Sequence, residues 1–180
     1  MSSAPQVVIL GVGNVLMSDE GLGVHAVMAL EQGYDFPAHV RCVDGGTSTQ
    51  ELLGDLEDLD HLIVLDAVNS NSPPGTMIRL EDAEVPQAFT TKFSPHQVGI
   101  ADLLAMLTFT GHAPKHVLVL GVEPAVLQLG MTLSPVVATR VPQLVTQVLA
   151  ELKKLGIVPT SAGVHRPHGM DGLAGLSEAR

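Results

Sequence analysis

Five short runs rich in Val, Ile and Leu, at Gln6 to Leu10, Val40 to Val43, His61 to Leu65, Met77 to Leu80 and Val117 to Val122, limit the folds open to this chain. Aliphatic character without polar alternation marks strands buried on both faces, as in a largely parallel sheet. The stretches between them carry helical spacing. Ile100, Leu103, Leu104 and Leu107 fall at i, i+3, i+4 and i+7. Val141, Leu144, Val145, Val148, Leu152 and Leu155 form another stripe, which ends at Gly156 where a left-handed cap fits. Pro142 is expected to open or kink that last helix. Ser94-Pro95-His96-Gln97 combines a capping serine, a first-turn proline and a glutamine that completes a capping box, so His96 falls in the first turn of a helix. Met77 to Leu80 follows a Pro/Gly-rich link too short for a crossover helix and is expected as an antiparallel edge strand. The pattern predicts an α/β fold, a three-layer α/β/α sandwich around a mostly parallel, mixed, roughly five-stranded twisted sheet.

The chain has 180 residues and is 46% hydrophobic, enough to bury one full core. A single domain over 5–157 is expected, followed by a flexible tail over 158–180, where composition turns to Gly, Pro, Ser and polar residues without apolar period. His165 and His168 in that tail are conceivable metal ligands. With 9 basic against 19 acidic residues the formal net charge is -10, which argues against nucleic acid as a partner. Cys42 is the one cysteine, so disulfides within the chain and thiolate-rich zinc sites are excluded and a reducing compartment is indicated. The first residues form no basic and apolar leader, and no apolar run approaches the ~20 residues of a membrane span. A soluble cytoplasmic protein without membrane insertion is expected.

The strand Val7-Val8-Ile9-Leu10 runs directly into Gly11-Val12-Gly13-Asn14-Val15-Leu16-Met17-Ser18-Asp19-Glu20-Gly21-Leu22-Gly23, a glycine-rich turn that delivers two acids to the start of a helix. Asp44 precedes Gly45-Gly46, and Asp66 closes its strand. Open α/β sheets bind ligands beyond the carboxyl ends of their strands, where all these acids fall. Convergent carboxylates repel one another unless a cation or proton intervenes, so convergence there predicts a metal. Each residue also has a plain reading. Glu20 suits a helix dipole, Asp19 can cap, and Asp44 can bond the backbone two residues on. His96 can simply face solvent at its helix start. Asp66 is the hardest to explain structurally, because an acid at a buried strand end needs a partner. His25, His39, His61, His112 and His116 lie away from these strand ends, and Cys42 reads as core. Serine-hydrolase, zinc-protease and nucleotide-hydrolase motifs are absent. A dinucleotide fingerprint fails at Leu16, where Gly or Ala is needed, and the acids of the loop would repel a pyrophosphate.

Taken together, the loop at 11–24, Asp-Gly-Gly-Thr at 44–47, Asp66 after its strand and Phe-Ser-Pro-His-Gln at 93–97 resemble the hydrogenase maturation protease family. Glu51-Leu52-Leu53-Gly54, Pro74-Gly75-Thr76-Met77, Glu84-Val85-Pro86 and Leu120-Gly121-Val122-Glu123-Pro124 extend the resemblance from Gln6 to Ile157. The resemblance implies an aspartyl-type endopeptidase that removes the C-terminal extension of a nickel-iron hydrogenase large-subunit precursor after nickel insertion. Its implied metal contacts are Glu20, Asp66 and His96, and its implied catalytic carboxyls are Asp44, Glu20 and Asp66. The implied cofactor is nickel supplied by the precursor, which is the implied partner. A non-catalytic nickel-binding or docking factor for the precursor is the alternative, and a dinucleotide-binding enzyme ranks lower.

Overall fold

The computed structural model describes residues 4–47, 52–86 and 95–163, with the backbone but not the side chains at 95–99. Its central sheet contains β1 (Val7–Val12), β3 (Val40–Gly46), β4 (His61–Ala67), β5 (Met77–Glu81) and β6 (His116–Val122), in the order β3-β1-β4-β6-β5. The first four positions are parallel, and β5 runs antiparallel to β6 as the edge strand. A separate ribbon pairs β2 (Tyr34–Asp35) with β7 (Thr160–Ser161). The helices are α1 (Leu22–Gly33), α2 (Leu53–Leu56), α3 (Pro95–Thr110), α4 (Pro135–Ala138) and α5 (Val141–Lys154).

Alternate residues of the buried strands feed two cores. Val7 and Ile9 of β1, with Ile63 and Leu65 of β4, meet Leu22, Val27 and Leu30 of α1 and Leu144, Val148 and Leu152 of α5. Val8, Leu10, Leu62 and Val64 face the other way, onto Leu56 of α2 and Ile100, Leu103 and Leu107 of α3. Each of these strands therefore buries both faces, which is why it carries no polar alternation. Pro142 stands in the first turn of α5, and Gly156 at φ 76° ends it, with the Ile157 N–H returning to the Leu152 carbonyl at 2.9 Å. Backbone pairing continues past 157. Thr160 and Ser161 pair with Asp35 and Tyr34, and the Ala162 N–H bonds the Gly33 carbonyl at 2.9 Å. This pairing is made by backbone alone, so it needs no apolar side chains. Residues 164–180, with His165 and His168, lie outside the described residues.

The loops at the carboxyl edge are tied together by one side chain. Asp19 is completely buried in a short 3-10 turn, Ser18–Gly21. Its Oδ2 accepts from the Ala125 N–H at 2.9 Å, the Val126 N–H at 2.8 Å and the Ser134 hydroxyl at 2.8 Å, while Oδ1 accepts from the Ser134 N–H at 2.6 Å. Backbone bonds reinforce this clamp: Asp19 N–H to Val126 carbonyl at 3.1 Å, Ser18 N–H to Gly130 carbonyl at 2.7 Å and Gly130 N–H to Leu16 carbonyl at 3.0 Å. Both carboxyl oxygens face N–H donors, so an amide at this position would turn its own NH2 against one of them.

At the amino edge, His61 and His116 are register partners on β4 and β6, and their rings stack with centroids 5.0 Å apart. Burial, and then the His116 ring, hold His61 below the ordinary imidazole range, against the opposing pull of Asp60 and Asp82. The unfolded chain then binds the extra proton more readily, so stability present above the ordinary value of about 6.5 is lost as pH falls through it toward the lower folded value. Denaturation midpoints measured from pH 7.5 to 5 are expected to fall, with a shallower fall in His61→Gln. Asp19→Asn is expected to lower the unfolding free energy by about 2 kcal/mol in urea titration, from one buried donor left facing another.

Candidate active site at the carboxyl edge of the sheet

The β1–α1 connection folds back onto the strand ends because two glycines let it. Gly13 has φ 131°, and a Cβ there would overlap the carbonyl oxygen of Glu20. At Gly23 a Cβ would overlap the carbonyl oxygens of Leu65 and Val12. The turn bearing Glu20 thus lies directly on β1, and the start of α1 lies on the end of β4, one residue short of Asp66. Asp66 sits in the last turn of pairing of β4, opposite Gly121, and is only 3% exposed. Glu20 is half-buried. The structure therefore carries Glu20 and Asp66 to the same edge on adjoining pieces of backbone.

Asp44 reaches that edge on β3, level with Gly11. It is exposed, and its Oδ1 accepts from the Gly46 N–H at 2.9 Å, the local turn its sequence context allowed. Pairing slips by one residue here, so that Val12 faces Gly46, and the Gly13 N–H bonds the Gly46 carbonyl at 3.0 Å. The Asp44 loop is thereby fastened to the Glu20 loop through main chain. His96 lies in the first turn of α3, and its side chain is outside the described residues. The far end of α3 is fixed at the amino edge by the Asp58 N–H to His112 carbonyl bond of 3.0 Å. Sixteen helical residues rise ~24 Å, about the length of the strands in the sheet. Among the described residues no three His, Cys, Asp or Glu side chains form a metal-holding group.

Two further acids organise this edge. Besides Asp19, Glu123 follows β6 and is 5% exposed; its Oε2 accepts from both the N–H and the hydroxyl of Ser70, each at 2.6 Å. It thereby holds the segment that follows Asp66 and β4. Its sequence signal is the same as that of Asp66, an acid directly after an apolar strand. Asp19 offered its adjacency to Glu20 and a capping role, and it caps neither the 3-10 turn nor α1. Among the described histidines His61 and His116 occupy the amino edge, whereas His25 stands in the first turn of α1, at the carboxyl edge. Cys42 is half-buried, and burial followed by the nearby Glu31 pushes its thiol up to about 12, far from a nucleophilic thiolate. The Gly11–Gly13 turn is filled by the backbone of Glu20, so it presents no open cradle to a pyrophosphate.

The same architecture and sequence recur in known proteins. A family model described as hydrogenase maturation protease matches residues 24–151. Hydrogenase 2 maturation protease of Escherichia coli (strain K12) is 48% identical over 153 residues, covering 84% of this chain and 93% of that protein. The hydrogenase expression/formation protein HupD of Thiocapsa roseopersicina is 39% identical over 176 residues, covering 93% of this chain and 80% of its own length. Among solved structures, the hydrogenase maturating endopeptidase HybD from E. coli superposes with a TM-score of 0.84 at 46% identity, over 87% of this chain and 97% of that one. The family match begins at Val24, past the Glu20 loop, whereas these relatives span most of both chains. Together they identify the chain as a member of the hydrogenase maturation protease family and a peptide hydrolase.

Proposed function

We propose that this protease removes the C-terminal extension of a nickel-iron hydrogenase large-subunit precursor after nickel insertion, in the cytoplasm, reading the nickel held by the precursor as its signal. The observation that carries this reading is the packing of the Glu20 turn on β1 and of the start of α1 on the end of β4, beside Asp66. Two carboxylates and the His96 imidazole make an oxygen and nitrogen donor set that suits a divalent first-row metal and leaves positions for ligands of the precursor. The ion is in this reading cargo of the substrate, and a precursor without it offers these donors nothing to hold. A bound divalent ion also polarises carbonyl oxygens and acidifies water.

Asp44 serves as the general base. Its Oδ1 is engaged by Gly46, leaving Oδ2 to take a proton from the attacking water. The water oxygen bonds the scissile carbonyl carbon, the C–N bond breaks, and the proton passes to the departing amine. The expected location rests on the single cysteine and on the partner, a precursor still being assembled. No helix among the described residues is long and apolar enough to cross a membrane.

Intact mass of the precursor after incubation with the protease tests the reading. Nickel-loaded precursor is expected to lose a C-terminal peptide while nickel-free precursor stays whole. Cleavage of both would remove the metal signal, and cleavage of neither would remove the assigned substrate. Asp44→Asn is expected to cut kcat by ~100-fold while precursor binding is retained, the loss usual for a missing general base; undiminished kcat would take Asp44 out of the mechanism.

A further inference from the structure

The clamp made by Asp19 holds an unusual loop. From Pro124 to Thr139 the chain carries no Asp, Glu, Lys, Arg or His, in a protein of formal net charge -10. The facing turn, Gly13 to Ser18, is equally uncharged. Within this neutral area Leu129 is 83% exposed and Met131 70%, with Leu127 and Leu16 each about half exposed at 52% and 53%. These residues lie on one stretch of paired backbone. Gly130, between Leu129 and Met131, exchanges backbone bonds with Leu16 and Ser18, and the Ser18 hydroxyl bonds the Gln128 carbonyl at 3.0 Å. Scattered exposed leucines need no explanation, but a contiguous apolar patch on a rigidly fastened loop is a hallmark of an interaction surface.

We propose that this patch docks an uncharged, apolar segment of the hydrogenase precursor beside the bond to be cut. The proposal rests on the functional reading above and extends it from the reacting bond to the body of the substrate. Three observations select this occupant. The patch is continuous with the candidate site, because the turn that contributes Leu16 and bonds Gly130 also bears Glu20. It lacks charge where the rest of the chain is acidic, so a charged segment would lose hydration there without gaining an ion pair. The four hydrogen bonds of Asp19 order the loop before any partner arrives, so docking a substrate on it costs little further ordering. Phe109 is a larger exposed residue, 92% exposed, but it lies near the end of α3 at the amino edge and has no such continuity.

Steady-state processing of nickel-loaded precursor by the double variant Leu129→Ser/Met131→Ser tests the proposal, with Phe109→Ser as the comparison and direct precursor binding measured in parallel. Both substituted residues are largely exposed, so an unchanged thermal midpoint is expected. The double variant is expected to raise KM and the dissociation constant about tenfold with kcat held, since it removes apolar contact made before the reaction. Phe109→Ser is expected to match the parent. Unchanged KM and binding in the double variant would overturn the docking role, as would a fall in kcat alone, which would make the loop part of the catalytic frame. A parent protein that sediments as a dimer, and a double variant that does not, would give the patch to a second copy of this chain and overturn it too. Parent protein that binds precursor without cutting it, and a double variant that binds tenfold more weakly, would uphold docking while removing the proposed cleavage.

Discussion

The Asp19 carboxylate receives three backbone N–H groups and one hydroxyl, all from the segment that follows β6. This one buried group decides how the β1–α1 connection meets the β6–α4 connection. Without it, three main-chain donors in the segment 125–134 would lose the buried acceptor that holds them. Asp19 and Glu20 are adjacent in sequence and do opposite work. The first turns inward and fixes the frame, and the second stays half-buried at the edge where ligands can reach it.

The two edges of the sheet satisfy their acids differently. At the amino edge Asp60 pairs with Lys115 at 2.7 Å, and Asp58 and Asp82 face His112 and His116. At the carboxyl edge Asp19 and Glu123 take neutral donors, backbone N–H groups and serine hydroxyls, and among the described residues neither forms an ion pair. Neutral donors satisfy these two carboxylates without a counter-charge. This asymmetry belongs to the sheet itself. Parallel strands put every carboxyl end on one side, and connections leaving that side must supply N–H groups wherever an acid is buried.

Much of this was legible in the amino-acid sequence, for reasons that differ by element. The parallel strands β1, β4 and β6 announce themselves because burial on both faces favours runs of Val, Ile and Leu, and α5 because its buried stripe repeats every three or four residues. By contrast β3, at the sheet edge, keeps only Val40 and Val43 about Arg41 and Cys42. The strands run slightly further than their apolar runs, β3 to Gly46 and β4 to Ala67, so Asp44 and Asp66 stand within the last paired residues. Hydrogen bonding continues where hydrophobicity stops. What could not be read depends on contacts distant in sequence. Asp19 and Glu20 differ only in which way the turn points them, and that is fixed by residues more than a hundred positions later. The stacking of His61 on His116 is a matter of strand register, and β7 is held by main chain alone. Glu123 carried the same signal as Asp66 and shows how an acid after a buried strand can serve the frame.

The close approaches at Gly13 and Gly23 have a consequence for heredity as well as for geometry. Any single-nucleotide change that replaces a glycine codon with that of another amino acid adds at least a Cβ. At Gly13 that atom would strike the carbonyl of Glu20, and at Gly23 those of Leu65 and Val12, all of them backbone that cannot swing aside. Mutation therefore has no one-step route through either position that leaves the loop intact. Variation in this enzyme must enter elsewhere, above all through side chains such as Leu129 and Met131, which can be exchanged without moving the strands that carry Asp44 and Asp66.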